Sequence, residues 1–333
     1  VRRINDEEAS TMRTRTRLAR IAGALAMLGA IGSSFAQDFP SKPVTLLIPF
    51  PPGTGNDVVG RIVGTKMGEF LSQKIVADNR AGASGNIAVE AVRRAAPDGH
   101  TMIIASTSFS INLFTMKVNF GLGDFTPIAL IGKLPYTLMV NKAVPAQNIK
   151  ELAALLKAKS GQYNGGSGGP TGTSFFLLDA FSKATGGKVE IVSYKGTTAG
   201  VADLLAERTH LMFAPMVTSL PQYRAGKIQV HGVSGAKRST LMPDVATFNE
   251  SGYPMLDVPT WFAFMGPAGI PTETVKVLNQ AAGKALATRD VIEALSNQGV
   301  EPGFGSPTET ATFLKADVAM WARIVKDADI KPQ

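Results

Sequence analysis

VTLLIPFPPGTGNDVVGRIVGTKMGEFLS, residues 44–72, joins a continuous apolar run to an amphipathic one through a turn rich in proline and glycine. VTLLI shows no polar alternation, so it reads as a strand buried on both faces, as in parallel sheets. Beyond the turn, Val59, Ile62, Val63, Met67 and Phe70 recur at helical spacing and predict a helix over about 58–72. Strand, tight turn and helix together open an α/β unit. The turn itself, PFPPGTGND (49–57), is stiff yet rich in backbone donors: Gly53 and Gly55 tolerate positive φ and let a ligand approach, while Asp57 is placed to cap the helix. Amides left free at a helix N-terminus attract an anion by about 0.3–1 kcal/mol per unit charge. An ordinary strand-to-helix turn is the plainer alternative. No Lys follows the glycines, which excludes a nucleotide P-loop, and G-x-G without a third glycine is weak support for a dinucleotide.

Outward from this stretch, strand-like and helix-like runs alternate, which predicts parallel sheets with helices on both faces. KIVADN (74–79) and HTMIIAS (100–106) read as strands around a helix at 85–95. YTLMVN (136–141) opens a second series, with strands ending at Ser167, Tyr194, Pro215 and Ser234 and helices over 150–159, 173–184 and 197–207. WFAFMGP (261–267) and helices at 272–288, 290–298 and 307–327 complete the chain. Two similar α/β units, the first discontinuous in sequence, account for this order.

The 333 residues are 44% apolar, ordinary for globular cores. Cysteine is absent, which excludes disulfides, thiolate metal sites and a cysteine nucleophile. The three histidines, His100, His210 and His231, are too scattered for a metal site, and no metal or cofactor is expected. Arg13, Arg15, Arg17 and Arg20 precede the apolar run IAGALAMLGAIG, and Ser34 and Ala36 offer the small residues of a cleavage site before Gln37. The run is about 12 residues long, against about 20 to span a bilayer, so 1–36 reads as a removable leader, with Met12 the expected start. It holds six of the 34 Lys+Arg and three of the 26 Asp+Glu, leaving 28 minus 23, or +5, on the exported part. No basic cluster interleaved with aromatics occurs there, so nucleic acid is not an expected partner.

NGGSGGPTGTS (164–174) matches the first turn in position, between a strand and an apolar helix. Ser167, Thr171, Thr173 and Ser174 supply hydroxyls, and Gly168, Gly169 and Gly172 supply amides. If the two units face each other, both helix starts point into one cleft and a carboxylate is held without arginine; a surface linker is the alternative. Ser106, Thr107 and Ser108 end a strand where ligands of open α/β sheets sit. Tyr194, Lys195 and Gly196 end another, and Arg80 lies in a further tight turn. No G-x-S-x-G elbow or Ser/His/Asp set at strand ends is present, so catalysis finds little support. An exported enzyme would have to use Asp57 or Asp203 as its base.

From Phe39 onward the chain resembles the Bug receptors, the extracytoplasmic solute receptors of tripartite tricarboxylate transporters. The resemblance rests on FPSKPVTLLIPFPPGTGNDVVGR, DNRAGASGNIAVEAVRRAAPDGHT, GDFTPIALIG, YKGTTAGVADLLAERTHLMF, MPDVATFNESGYP, GPAGIPTETVKVLN and SPTETATFLKADVAMWARIVKDADIK, seven motifs in the family's order. It implies a type II periplasmic binding protein fold: two α/β domains, 37–138 with 259–333 and 139–258, joined by crossing strands with a ligand cleft between. It also implies a carboxylate gripped by two loops through backbone amides and waters. Those loops fall on 50–57, including Phe50, Pro52, Gly53, Thr54, Gly55, Asn56 and Asp57, and on 166–174. The expected partners are a small carboxylate and the membrane subunits of a tripartite transporter, with the receptor a monomer in the periplasm; a sensory receptor is the alternative.

Three positions depart from the family pattern. Thr54 stands for a paired glycine, Phe175 or Phe176 for a histidine, and Ala214 for an aspartate at a strand end. Together they predict a less polar pocket and a carboxylate with an aromatic or otherwise apolar far end, rather than a dicarboxylic amino acid.

Overall fold

The computed structural model describes residues 39–170, 172–258, 260–327 and 332; the expected leader lies outside them. The first strand, β1 (Val44–Ile48), is followed by helix α1 (Gly55–Leu71), β2 (Ile75–Asn79), α2 (Asn86–Arg93) and β3 (Thr101–Ser106). α1 lies close on its sheet because Gly60 and Gly64 carry no side chain there: a Cβ at Gly60 would sit 3.3 Å from both Leu46 and Ile104. Val59, Val63 and Met67, fully buried, follow the helical period read from the sequence.

β3 runs directly into α3 (Thr107–Thr115), and β4 (Phe125–Leu134) then leads to β5 (Tyr136–Val140). α4 (Ile149–Ala158), β6 (Tyr163–Ser167), α5 (Thr173–Thr185), β7 (Val189–Ser193), α6 (Thr197–Leu205), β8 (Leu211–Pro215), α7 (Met216–Arg224) and β9 (Gln229–Val233) follow. The chain ends in β10 (Thr260–Pro267), α8 (Thr272–Ala287), α9 (Arg289–Asn297), the short β11 (Glu301–Pro302) and α10 (Pro307–Asp327).

The strands form two sheets, ordered β11-β4-β10-β3-β1-β2 and β7-β6-β8-β5-β9. Both are mixed rather than parallel. β1 pairs in parallel with β2 and β3, and β6 with β7 and β8, but β10 runs antiparallel to β3 and β4, and β5 antiparallel to β8 and β9. The reason lies in connectivity. Strands such as β1, β3, β6 and β8 end at the boundary between the sheets, whereas β5 and β10 enter from that boundary and must run the other way. The outward crossing is the single residue Pro135, and the return falls between β9 and β10.

Pro135 is bound tightly: its carbonyl accepts from the Met216 amide at 2.9 Å, and the Tyr136 amide donates to Ser234 Oγ at 2.7 Å. A second layer of the core, with Tyr136, Leu138, Phe181 and Phe213, lies under the second sheet. Leu46 sits at the centre of the first core, fully buried between α1 and the sheet. Leu46→Ala should destabilise the protein by about 2–5 kcal/mol, lowering the urea midpoint without changing the slope of the transition.

Candidate functional site

Where the strands of the two sheets end, five helices begin. The N-cap or first residues of α1 (Thr54, Gly55, Asn56), α3 (Ser106, Thr107, Ser108), α5 (Gly172, Thr173, Ser174), α6 (Thr197) and α7 (Pro215) surround one cavity of about 40 Å³. Phe50, Ser84, Tyr136, Gly168, Thr260 and Phe262 complete the wall. None of the described lining residues carries a charge. Its positive potential comes instead from helix N-termini, whose first amides have no intrahelical acceptor.

The first turn is braced from within. Asp57 Oδ2 accepts from the Gly53 amide at 2.9 Å, and Oδ1 accepts from Asn79 Nδ2 at 2.9 Å and Arg61 Nε at 2.8 Å. Burial pushes the Asp57 carboxyl pKa up, but the Gly53 amide, the Asn79 side chain and the Arg61 guanidinium outweigh it and hold the pKa below its ordinary 3.8. Asp57 is therefore a structural anion behind the turn rather than part of the cavity wall, and the Gly53 amide, expected to be free, is already taken. Thr54 Oγ1 donates to the Pro51 carbonyl at 2.8 Å, while Asn56 Nδ2 ties α1 to the Ile104 carbonyl at 2.9 Å. Gly55 and Asn56 line the cavity in the first turn of α1, where backbone amides have no intrahelical acceptor.

The second turn is laced in the same way. Ser167 Oγ donates to the Gly169 carbonyl at 2.6 Å, and Ser174 Oγ accepts from the Gly168 amide at 2.9 Å. Ser167 is thus buried scaffold, and Gly168, Gly172, Thr173 and Ser174 form the wall. Thr171 is outside the described residues. Tyr136, from the first crossing, meets Thr173, and burial pushes its phenol up, with the Thr173 hydrogen bond opposing, so it stays neutral.

Several expected site residues lie elsewhere. Tyr194 turns away, its hydroxyl donating to Asp203 Oδ2 at 2.8 Å, and Asp203 also binds Arg208. Lys195 is exposed, and Arg80 pairs with Asp78 at 2.8 Å. Ala214 is buried in β8 with its carbonyl on Thr137, outside the wall. Phe176 packs against Trp321 at 5.6 Å, and neither it nor Phe175 lines the cavity. Two of the three departures from the family pattern therefore do not touch the site; its apolar surface comes from Phe50, Phe262 and Pro215. Both carboxylates considered as a base, Asp57 and Asp203, are committed to structural partners away from the cavity. His231 is packed at 5% exposure, and burial lowers its pKa to about 4.

Pro52, Gly53, Gly169 and Gly196 sit where the two halves touch. Thr198 Oγ1 approaches the Pro52 carbonyl at 3.4 Å and lies 3.9 Å from where a Gly53 Cβ would stand. A Cβ at Gly196 would be 2.7 Å from Pro51, and one at Gly169 would be 2.8 Å from Ser84 Oγ. Ser84, Tyr136, Thr197, Pro215, Thr260 and Phe262 are not among the expected site residues, although Ser84 and Thr197 lie in two of the quoted motifs, DNRAGASGNIAVEAVRRAAPDGHT and YKGTTAGVADLLAERTHLMF. Ser84, Thr197 and Thr260 line the cavity, and their hydroxyls are buried without a hydrogen-bond partner.

Comparison with known proteins gives one consistent answer. The sequence profile of the family described as "Tripartite tricarboxylate transporter family receptor" matches residues 59–330. Protein BugT of Bordetella pertussis is 30% identical over 324 residues, covering 95% of this chain and 98% of the relative. The solved periplasmic binding protein BugD superposes with a TM-score of 0.85 at 29% identity, over 89% of this chain and 100% of that one. A Rhodopseudomonas palustris protein solved with adipate gives 0.85 at 31% identity, with the same coverage of 89% and 100%. MatC of that organism, with bound malate, gives 0.82 at 27%, over 86% and 100%.

Asp57→Ala should cost about 1–3 kcal/mol at neutral pH, because it leaves the Gly53 amide without its acceptor. The folded-state pKa is depressed, so this contribution is present above the ordinary carboxylate range and lost as pH falls through the folded value. Denaturation of wild type and variant at stepped pH should show the difference shrinking on acidification.

Proposed function

The chain belongs to the tripartite tricarboxylate transporter receptor family, and from that premise we propose that it captures a small, partly apolar carboxylate in the periplasm and delivers it to the transporter's membrane subunits. It is a solute-binding receptor of a family of receptors, not of enzymes. One observation carries the ligand reading: five helix N-termini from both halves meet at a cavity with no charged group in its described wall. Such a site prefers an anion, and hydroxyls plus amides suit a carboxylate's four lone-pair directions.

In this reading the carboxylate lies between the Gly55 and Asn56 amides of the first turn and the Thr173 and Ser174 groups of the second. Its carbon body rests on Phe50 and Phe262. A cavity of about 40 Å³ favours a short chain in this closed arrangement, since a benzene-holding cavity is about 150 Å³; an aromatic acid would hold the halves further apart. The relatives solved with adipate and malate support a carboxylate.

The two lobes, one built on each sheet, close by bending at Pro135 and at the return crossing, because only the closed form offers both turns to one ligand. The receptor acts as a monomer after removal of the leader. No helix among the described residues is long and apolar enough to cross a membrane.

A thermal-shift panel of short carboxylates checks this reading, because ligand at ~100 times its dissociation constant adds ~2.7 kcal/mol of stability. A shift with a sugar or amine and with no acid would overturn it. Gly169→Leu should abolish the shift and keep the fold, since its side chain meets Ser84 before the lobes can close.

A further inference from the structure

We propose that Asn112 is a positioning residue for capture: it holds the turn 82–85 in the one form on which Gly169 of the second lobe lands when the lobes close. The inference rests on the closure reading above. Its starting point is a run of backbone that L residues avoid. Gly82, Ala83, Ser84 and Gly85 have φ of 134°, 45°, 53° and 96°, all positive. Glycine adopts such values freely, but Ala83 and Ser84 do not. Strain of this kind persists only where the surroundings enforce it.

The enforcing group is Asn112 on α3, 1% exposed. Its Nδ2 donates to the Ser84 carbonyl and to Asn86 Oδ1, both at 2.9 Å. Asn86 opens α2, so one side-chain amide ties α3 both to the turn and to the helix that follows it. A primary amide has two N–H donors, which match these two acceptors, whereas a carboxylate or an alkyl group of the same shape supplies neither. The turn adds one bond of its own, from the Gly85 amide to the Gly82 carbonyl at 2.9 Å.

Two surfaces meet this turn from outside. A Cβ at Gly85 would stand 3.0 Å from Pro49 and 3.4 Å from Phe50 Cζ, so the turn backs the first gripping loop. A Cβ at Gly169 would stand 2.8 Å from Ser84 Oγ and 3.6 Å from Ser84 Cβ, so the second lobe reaches the same turn with bare backbone. Closure therefore brings Gly169 against a face whose shape depends on Asn112, although Asn112 is not a residue of the cavity wall. Without the clamp, Ala83 and Ser84 relax out of their left-handed conformation, the face moves, and the closed form loses this contact.

The chain has no cysteine, so one engineered pair, Ser84→Cys with Gly169→Cys, reports this contact alone. The Cβ separation of 3.6 Å falls within the range of about 3.5–4.5 Å that disulfides use. In a glutathione redox buffer the full chain carrying the pair should form the bond, and thiol titration gives the effective concentration of one cysteine at the other. Adding Asn112→Leu, which keeps the shape without the donors, or Asn112→Ala should lower that concentration about tenfold or more. Adding Ala83→Gly to either should restore most of the loss, because glycine needs no enforcement at that φ. With Asn112 in place, Ala83→Gly alone should raise the urea midpoint of the reduced chain and leave the effective concentration unchanged. An undiminished concentration in both Asn112 variants, a loss that Ala83→Gly does not restore, or a midpoint lowered by Ala83→Gly alone overturns the inference and leaves the closure reading standing. Absence of the bond in the parent pair overturns closure at this contact, and the inference with it.

Discussion

A chain that crosses twice between two sheets must run its entering strands against their neighbours, and the cleft follows from that constraint. β5 and β10 enter their sheets from the boundary, while β1, β3, β6 and β8 end at it. Each strand that ends at the boundary is followed by a helix that begins there. Helix N-termini are thereby collected at one place from both sheets, without any residue having been selected singly for charge. The crossing at Pro135 joins the two groups of helix starts through a single residue.

On the proposed reading, this is how the site would attract an anion while holding no cation among its described wall residues. Burying a lysine or arginine in a cavity this small would require desolvating the charge, with a penalty of several kcal/mol before the ligand arrived. A helix N-terminus has its partial charge fixed in the backbone and already oriented. The true carboxylate near the site, Asp57, sits behind the first turn and is neutralised by Arg61, Asn79 and the Gly53 amide. It shapes the turn without opposing an anion in front of it.

Much of this was legible from sequence, because the switch from continuous or alternating apolar residues to helical spacing across a glycine turn is a strong local signal. β1–α1 and β6–α5 carry it, and their turns form two sides of the cavity. α3 was missed for a specific reason. Phe109, Ile111 and Leu113 alternate with Ser110 and Asn112 like a strand, and the buried polar residues that break the helical pattern include the Asn112 clamp. In β4, Pro127 and Gly132 read as breakers; Pro127 lies beside a register shift opposite Met265, and Gly132 makes room for the Glu301 carbonyl. In α7, Pro221 hides a helix. Tyr136, Thr260 and Phe262 reach the site through long-range topology, which no local pattern carries.

The glycines at the contact between the lobes have a thermodynamic consequence. Gly169 and Gly196 let backbone meet Ser84 and Pro51 directly, so at these points the halves approach without large side chains interlocking. The ligand shifts the balance only by its differential affinity for the closed state. On the proposed reading, selectivity therefore resides in how completely a ligand complements the cavity where the two halves meet, since attraction to helix N-termini alone is common to any small anion.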